Sequence, residues 1–303
     1  MAFTAKDVQS LREKTGCGMM DCKKALVECD GNMDAAVDYL REKGLASQAK
    51  KADRIAAEGT VCALVENGVG VVVELNAETD FVANGDDFKA LANRVAKIII
   101  AQNPTDLDAL LACTENGQTV EEMVQELFLK IRENIKIRRF VRYEGKLVSY
   151  VHAGGKIGVL VNFEGNVDAE NPEFIAMGKN IAMQIAAMNP AYLDEASVPA
   201  SVIDKEKEIL IAQMKEDPKM ANKPDMVLGK IVEGKIAKYY KENCLVEQQF
   251  VIDGDLTVAK YVEKVAKELG TTLKIASFVR FEKGEGIEKR VDDFAAEVAS
   301  MVK

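Results

Sequence analysis

Residues 58–104 read EGTVCALVENGVGVVVELNAETDFVANGDDFKALANRVAKIIIAQNP, and residues 144–190 read EGKLVSYVHAGGKIGVLVNFEGNVDAENPEFIAMGKNIAMQIAAMNP. With a shift of 86 positions and no gap, the two stretches agree at 15 of 47 residues, among them Glu58/Glu144, Gly59/Gly145, Phe88/Phe174, Ile99/Ile185 and Pro104/Pro190. Self-similarity at a fixed shift marks an internal duplication. Each copy predicts a strand, a Gly-bearing hairpin, a second strand, a loop, an amphipathic helix and an Asn-Pro stop.

A second overlay extends the repeat. Residues 119–144 fall on 257–282 with a shift of 138, keeping Thr119/Thr257, Val124/Val262, Phe140/Phe278 and Arg142/Arg280, and the pattern is a helix followed by a strand. The two shifts differ by 52, so copy two carries an insertion of that length within roughly residues 191–247. The insertion is broken at Asp217-Pro218 and Lys223-Pro224, which predicts two antiparallel helices forming a hairpin.

Outward from the repeat, residues 1–45 predict three short helices. Thr4 caps the first, with Val8 and Leu11 inward, and Thr15-Gly16-Cys17-Gly18 breaks it. Cys22, Ala25, Leu26 and Cys29 make one face of the second, and Met33, Ala36, Val37 and Leu40 one face of the third, which Gly44 closes. Residues 46–57 read as a connector, and Val291, Phe294, Ala295 and Val298 mark a C-terminal helix in a module of residues 285–303. The class is α+β: a head (1–45), a first sheet-plus-helix unit (58–143), a second (144–190 and 245–284) and an inserted hairpin (191–244).

Composition narrows the chemistry. The 303 residues carry 40 basic and 49 acidic side chains, a net charge of −9, which argues against a broad grip on nucleic acid. No apolar run approaches the ~18 residues of a membrane span, and the N-terminus lacks the apolar core of a secretory signal. Six cysteines without a Cys-x-x-Cys pair suit reduced thiols in the cytoplasm. His152 is the only histidine, so sites built on two histidines are excluded, and no metal, cofactor or enzymatic activity is expected. The hairpin glycines form neither GxxxxGK[ST] nor GxGxxG before a helix, so no phosphate loop is read. Lys136-Ile137-Arg138-Arg139 reads as the solvated edge of a strand.

The two copies differ most where Thr79-Asp80-Phe81-Val82 stands opposite Gly165-Asn166-Val167-Asp168. Phe81 is either tucked under its own helix, which its residue type favours, or exposed as an anchor for a partner. Asp80 reads by default as a turn or cap residue. His152, at the mouth of the second hairpin, reads as a surface histidine. Met19 and Met20 cannot both face inward, which leaves at least one for a partner.

Thr15-Gly16-Cys17-Gly18-Met19-Met20-Asp21-Cys22-Lys23-Lys24-Ala25-Leu26, then Thr79-Asp80-Phe81-Val82, then Gly286-Ile287-Glu288-Lys289 resemble the motifs of the bacterial elongation factor Ts family over the whole chain. The resemblance implies a guanine-nucleotide exchange factor for the GTPase elongation factor Tu. It also implies a head like a ubiquitin-associated (UBA) three-helix fold, two related subdomains and a coiled-coil hairpin. In that family the loop of Thr79, Asp80, Phe81 and Val82 disturbs the partner's Mg²⁺ site, with Phe81 as a wedge. Arg12, Met19 and Met20 grip the GTPase domain, and His152, Ile131, Val251 and Ile252 occupy further contact positions. Where the family has a glycine beside Ile131, this chain has Arg132. A homodimer or a 2:2 assembly with the partner stays open, as does an adaptor at the ribosome or a chaperone that binds without exchange.

Overall fold

Thr4 opens the first helix as a capping box: its own N–H donates to the Asp7 carboxylate at 2.7 Å while its hydroxyl accepts from the Asp7 N–H. The computed structural model describes residues 3–217 and 223–288. Helices α1 (Ala5–Thr15), α2 (Met19–Glu28) and α3 (Met33–Lys51) enclose a small core of Val8, Leu11, Cys22, Leu26 and Leu40. The expectation that Gly44 closes the third helix fails, because α3 runs on to Lys51. Gly44 serves close packing instead, since a side chain there would strike Leu129 of a later helix.

The chain continues through strands β1 (Glu58–Glu66) and β2 (Val69–Ala77), the single turn α4 (Asp80–Ala83) and α5 (Asp86–Gln102). Next come α6 (Leu107–Ala112), the two-residue strands β3 (Thr114–Glu115) and β4 (Gln118–Thr119), α7 (Val120–Ile131) and β5 (Lys136–Glu144). Strands β6 (Lys146–His152) and β7 (Ile157–Gly165) follow, then α8 (Pro172–Met188), α9 (Ala200–Glu216), α10 (Asp225–Asn243), α11 (Val258–Glu268) and β8 (Leu273–Glu282). Two antiparallel three-stranded sheets result, ordered β1-β2-β5 and β6-β7-β8. The class is α+β. The C-terminal helix expected around Val291–Val298 lies outside the described residues.

Alternation along β2 explains the layering. Val71, Val73 and Leu75 pack on α5 and α7, whereas Val72 faces the other sheet with Val61, Leu147, Leu160 and Phe281. The second sheet packs likewise on α8 and α11. Helices therefore cover the outer faces and the two sheets meet face to face. Gly70 and Gly158 line that meeting, where a side chain would press Leu160 or Val61 opposite.

Strand pairing refines the overlay. Ala63 pairs with Val72, and its counterpart Ser149 pairs with Leu160, so the first strands and the helices repeat at 86 but the second strands repeat at 88. The turn of copy two is two residues longer and its next loop two residues shorter. Glu74 therefore corresponds to Asn162, not to the residue an ungapped shift assigns.

Both sheets also carry a bulge at one equivalent place, skipping Arg138 in β5 and Ala276 in β8. In regular strands successive side chains face opposite ways, and a bulge relaxes this. Arg138 and Arg139 consequently both reach Glu74, at 3.0 and 2.6 Å, and the Gly284 N–H donates to the same carboxylate at 2.8 Å. Glu74 has 0% of its surface exposed. The expectation that this stretch of β5 is a solvated edge holds for the exposed Lys136 but not for the two arginines, whose guanidiniums a buried carboxylate draws inward. Burial pushes the Glu74 pKa up, but the Gly284 amide, Arg139, Asn76 and Arg138 together hold it below the ordinary 4.5.

The inserted helices leave and rejoin the second unit at one point. The Ala191 and Tyr192 amides both donate to the Asn243 carbonyl at 3.0 Å, and the Leu245 amide donates to the Tyr192 carbonyl at 2.9 Å. Ile203, Leu210, Met214, Val232 and Ile236 form a separate core between α9 and α10. Replacing residues 198–242 by a short Gly/Ser linker should therefore leave a cooperative thermal transition by circular dichroism, with Tm shifted by only a few degrees. Loss of the transition would show that the hairpin supports the rest of the fold.

Candidate partner-binding site

Thr79 caps α4: its hydroxyl accepts from the Val82 N–H at 3.4 Å, and its carbonyl accepts from the Ala83 N–H at 3.2 Å. Val82 and Ala83 turn into the first core, which sends Phe81 the other way. Phe81 is 86% exposed, the most exposed large apolar side chain among the described residues. Residue type favoured a buried ring; the single turn of helix puts its neighbours inside instead. Asp80 lies exposed in the first turn of α4. The turn is fastened from outside by Glu133, whose carboxylate accepts from the Thr79 N–H at 3.0 Å and from the Thr79 hydroxyl at 2.8 Å.

The candidate residues of the head flank one turn. Arg12 is exposed near the end of α1, and Met19 and Met20 open α2, 43% and 73% exposed. Beside them, Asp21 pairs with Arg132 at 2.8 Å. Arg132 follows the half-buried Ile131, which packs on the first core, and precedes Glu133. The structure thus links the head methionines, Ile131 and the 79–82 loop through one short turn.

The remaining candidates stand on the second unit. His152 ends β6, exposed, with Nδ1 3.0 Å from the Tyr150 hydroxyl oxygen. Val251 and Ile252 are exposed on a loop that the buried Gln184 anchors by accepting from the Val251 N–H at 2.8 Å. Among the described residues, no hydrogen bond or ion pair joins these three to the 79–82 loop.

Burial pushes the Cys62 and Cys244 thiols up to about 11, so both are protonated near neutrality. Among the described residues no group of three His, Cys, Asp or Glu side chains gathers as a metal site, and no helix is long and apolar enough to cross a membrane. The surface offers an exposed ring on a capped turn, adaptable methionines and a loop held by the buried Gln184, which suits docking to another protein. Glu133, Gln184 and Glu74 escaped sequence reasoning. Glu133 was detectable, because the second overlay sets it against the neutral Thr271.

Known proteins resemble this chain in sequence. The model of the family described as Elongation factor TS matches residues 78–285, which hold the 79–82 loop, β5, the second sheet and the inserted hairpin. The chain is 51% identical to Elongation factor Ts of Syntrophotalea carbinolica, the alignment covering 100% of both. It is 48% identical to Elongation factor Ts of Clostridium perfringens over 99% of both, and 46% identical to that of Magnetococcus marinus over 100% of both. With a family match that spans most of its length and relatives that align from end to end, the chain belongs to the elongation factor Ts family of translation factors.

Proposed function

We propose that this protein binds the GTPase elongation factor Tu and accelerates its release of GDP, so that GTP can replace it, within the cytoplasm. The observation that carries the reading is Phe81, displayed at 86% exposure on a turn capped by Thr79 and pinned by Glu133. A ring held in water gains roughly 1.5–3 kcal/mol on burial. In this reading it enters a cleft of the GTPase that opens only when the Mg²⁺ and phosphate contacts loosen, with Asp80 beside it and Thr79 and Val82 fixing the turn. A partner that prefers the nucleotide-free arrangement must weaken nucleotide binding reciprocally, typically by about 1–3 kcal/mol. Arg12, Met19 and Met20 grip the GTPase domain, while Ile131, His152, Val251 and Ile252 supply further contacts. The head acts as a UBA-like docking module, the two sheet units as related subdomains of one core, and α9 and α10 as a coiled-coil hairpin. Exchange in this scheme is differential binding and requires no covalent step by the factor.

The test is release of labelled GDP from a Tu-type GTPase, in excess unlabelled nucleotide, with and without this protein. Acceleration that saturates with factor concentration is expected. Tight binding with an unchanged nucleotide off-rate would replace the reading by that of an adaptor.

A further inference from the structure

We infer that the turn of Arg132, Glu133 and Asn134, between α7 and β5, is the positioning element of the Phe81 surface, and that Glu133 is the residue that holds the 79–82 loop in its presenting conformation; the inference rests on the exchange reading above. Helix α4 has four residues, too few to sustain itself, because the first helical turn costs more conformational freedom than its bonds return. Val82 and Ala83 fix it from the inside only. Glu133 supplies the outside: one carboxylate takes both the amide and the hydroxyl of Thr79, at 3.0 and 2.8 Å, and that hydroxyl in turn accepts from Val82. Hydrogen bonds to an ionised acceptor are the stronger kind.

The turn is itself tied down. Asn134 is buried, its amide donates to Glu78 at 2.7 Å, and its side chain donates to the Ala52 and Arg54 carbonyls at 3.2 and 2.7 Å. Arg132 holds φ at 65°, in the left-handed region that disfavours a side chain, while its guanidinium reaches Asp21 beside Met20 and its carbonyl accepts from Lys51.

The duplication provides an internal comparison. The equivalent turn of copy two is Gly270-Thr271-Thr272, with Gly270 at φ 64°. There a neutral hydroxyl, that of Thr271, donates to the carbonyl of Asn166 at 2.8 Å. At the shift of 86 shared by the helices, Phe81 falls on Val167, which packs on its own core in a loop two residues shorter. One architectural position therefore clasps its loop in both copies. Only where the loop displays an aromatic ring to solvent is the clasp a carboxylate with two bonds, fastened to the head by an arginine in place of glycine.

The experiment uses the full-length protein with Glu133→Ala and Glu133→Gln, alone and combined with Phe81→Ala. Amide hydrogen exchange at residues 80–83 should accelerate about tenfold in Glu133→Ala, with Gln intermediate because one acceptor oxygen remains. Loss of the presenting population should raise the half-saturating factor concentration in the GDP-release assay by about tenfold while leaving the saturated rate near the parent's. In the Phe81→Ala background the same change should have little effect. Loop amides exchanging at the parent rate would overturn the clasp. An equal loss with and without Phe81 would overturn its link to the ring. Unchanged release by Phe81→Ala alone would bring down the exchange reading instead, with loop protection still reporting on the clasp.

Discussion

Phe81→Ala will slow factor-stimulated GDP release at saturating factor by about thirtyfold while leaving the melting temperature of the protein unchanged. The size follows from the value of a central aromatic anchor, about 2 kcal/mol or more, at 1.4 kcal/mol per tenfold. Preservation of the fold follows from exposure: a ring with 86% of its surface in water contributes little to its own core. Substitutions at such places usually shift stability by less than about 0.5 kcal/mol. Phe81→Leu should fall between, since it keeps apolar bulk but not the ring. Stopped-flow release of a fluorescent GDP analogue measures the effect. A parent-like saturated rate for the alanine variant would remove Phe81 from the mechanism, and a lowered Tm would show that the ring packs at home after all.

The second large effect belongs to Glu74. Glu74→Ala will destabilise the fold by about 3–5 kcal/mol, the usual cost of removing one partner of a buried ion pair. It takes the shared carboxylate from Arg138 and Arg139, which keep their contacts to Glu285 and the Glu282 carbonyl, and leaves the Gly284 amide without its acceptor. Because Gly284 follows β8 while both arginines lie on β5, the loss strikes the junction of the two units. The carboxylate also predicts an acid limb. Its folded pKa lies below the 4.5 of a free glutamate, so the stability it contributes is present above about pH 4.5 and is lost as pH falls through the folded value. Glu74→Gln should flatten that limb, since glutamine does not titrate. Urea unfolding between pH 3 and 7 reads both effects, and parallel pH profiles for parent and Gln variant would show that the group does not govern acid stability.

The α+β class was legible because apolar spacing is periodic, and matched residues at two fixed shifts carried the reading of a duplication with an insertion. The finer register was not. An ungapped shift across two hairpins of different length balances a gain and a loss of two residues, so the helices align correctly while β2 and β7 slip past one another. That slip hid the equivalence of Glu74 and Asn162. The buried carboxylate was invisible for a second reason, because a bulge sends consecutive arginines to one face and alternation predicts the opposite. Gly44 read as a stop, since a glycine beyond an apolar stripe usually ends a helix; its real constraint, the approach of Leu129, comes from a residue far along the chain. At the loop, Thr79-Asp80-Phe81-Val82 stood out as the place where the copies diverge, but whether the ring faces in or out depends on which neighbours the short turn buries. Residue type alone favoured the wrong side.

The side-by-side entry and exit of the inserted helices have a consequence for how such a chain can vary. Because the amides of Ala191 and Tyr192 already grasp the carbonyl of Asn243, the flanking strands and helices meet the same boundary whatever lies beyond it. Each doubling of an excursion closed in this way adds only about 0.6 kcal/mol of closure entropy. Lengthening, shortening or rewriting the appendage is thereby nearly free for the rest of the molecule, which leaves this arm open to drift among relatives while the paired sheets stay constrained.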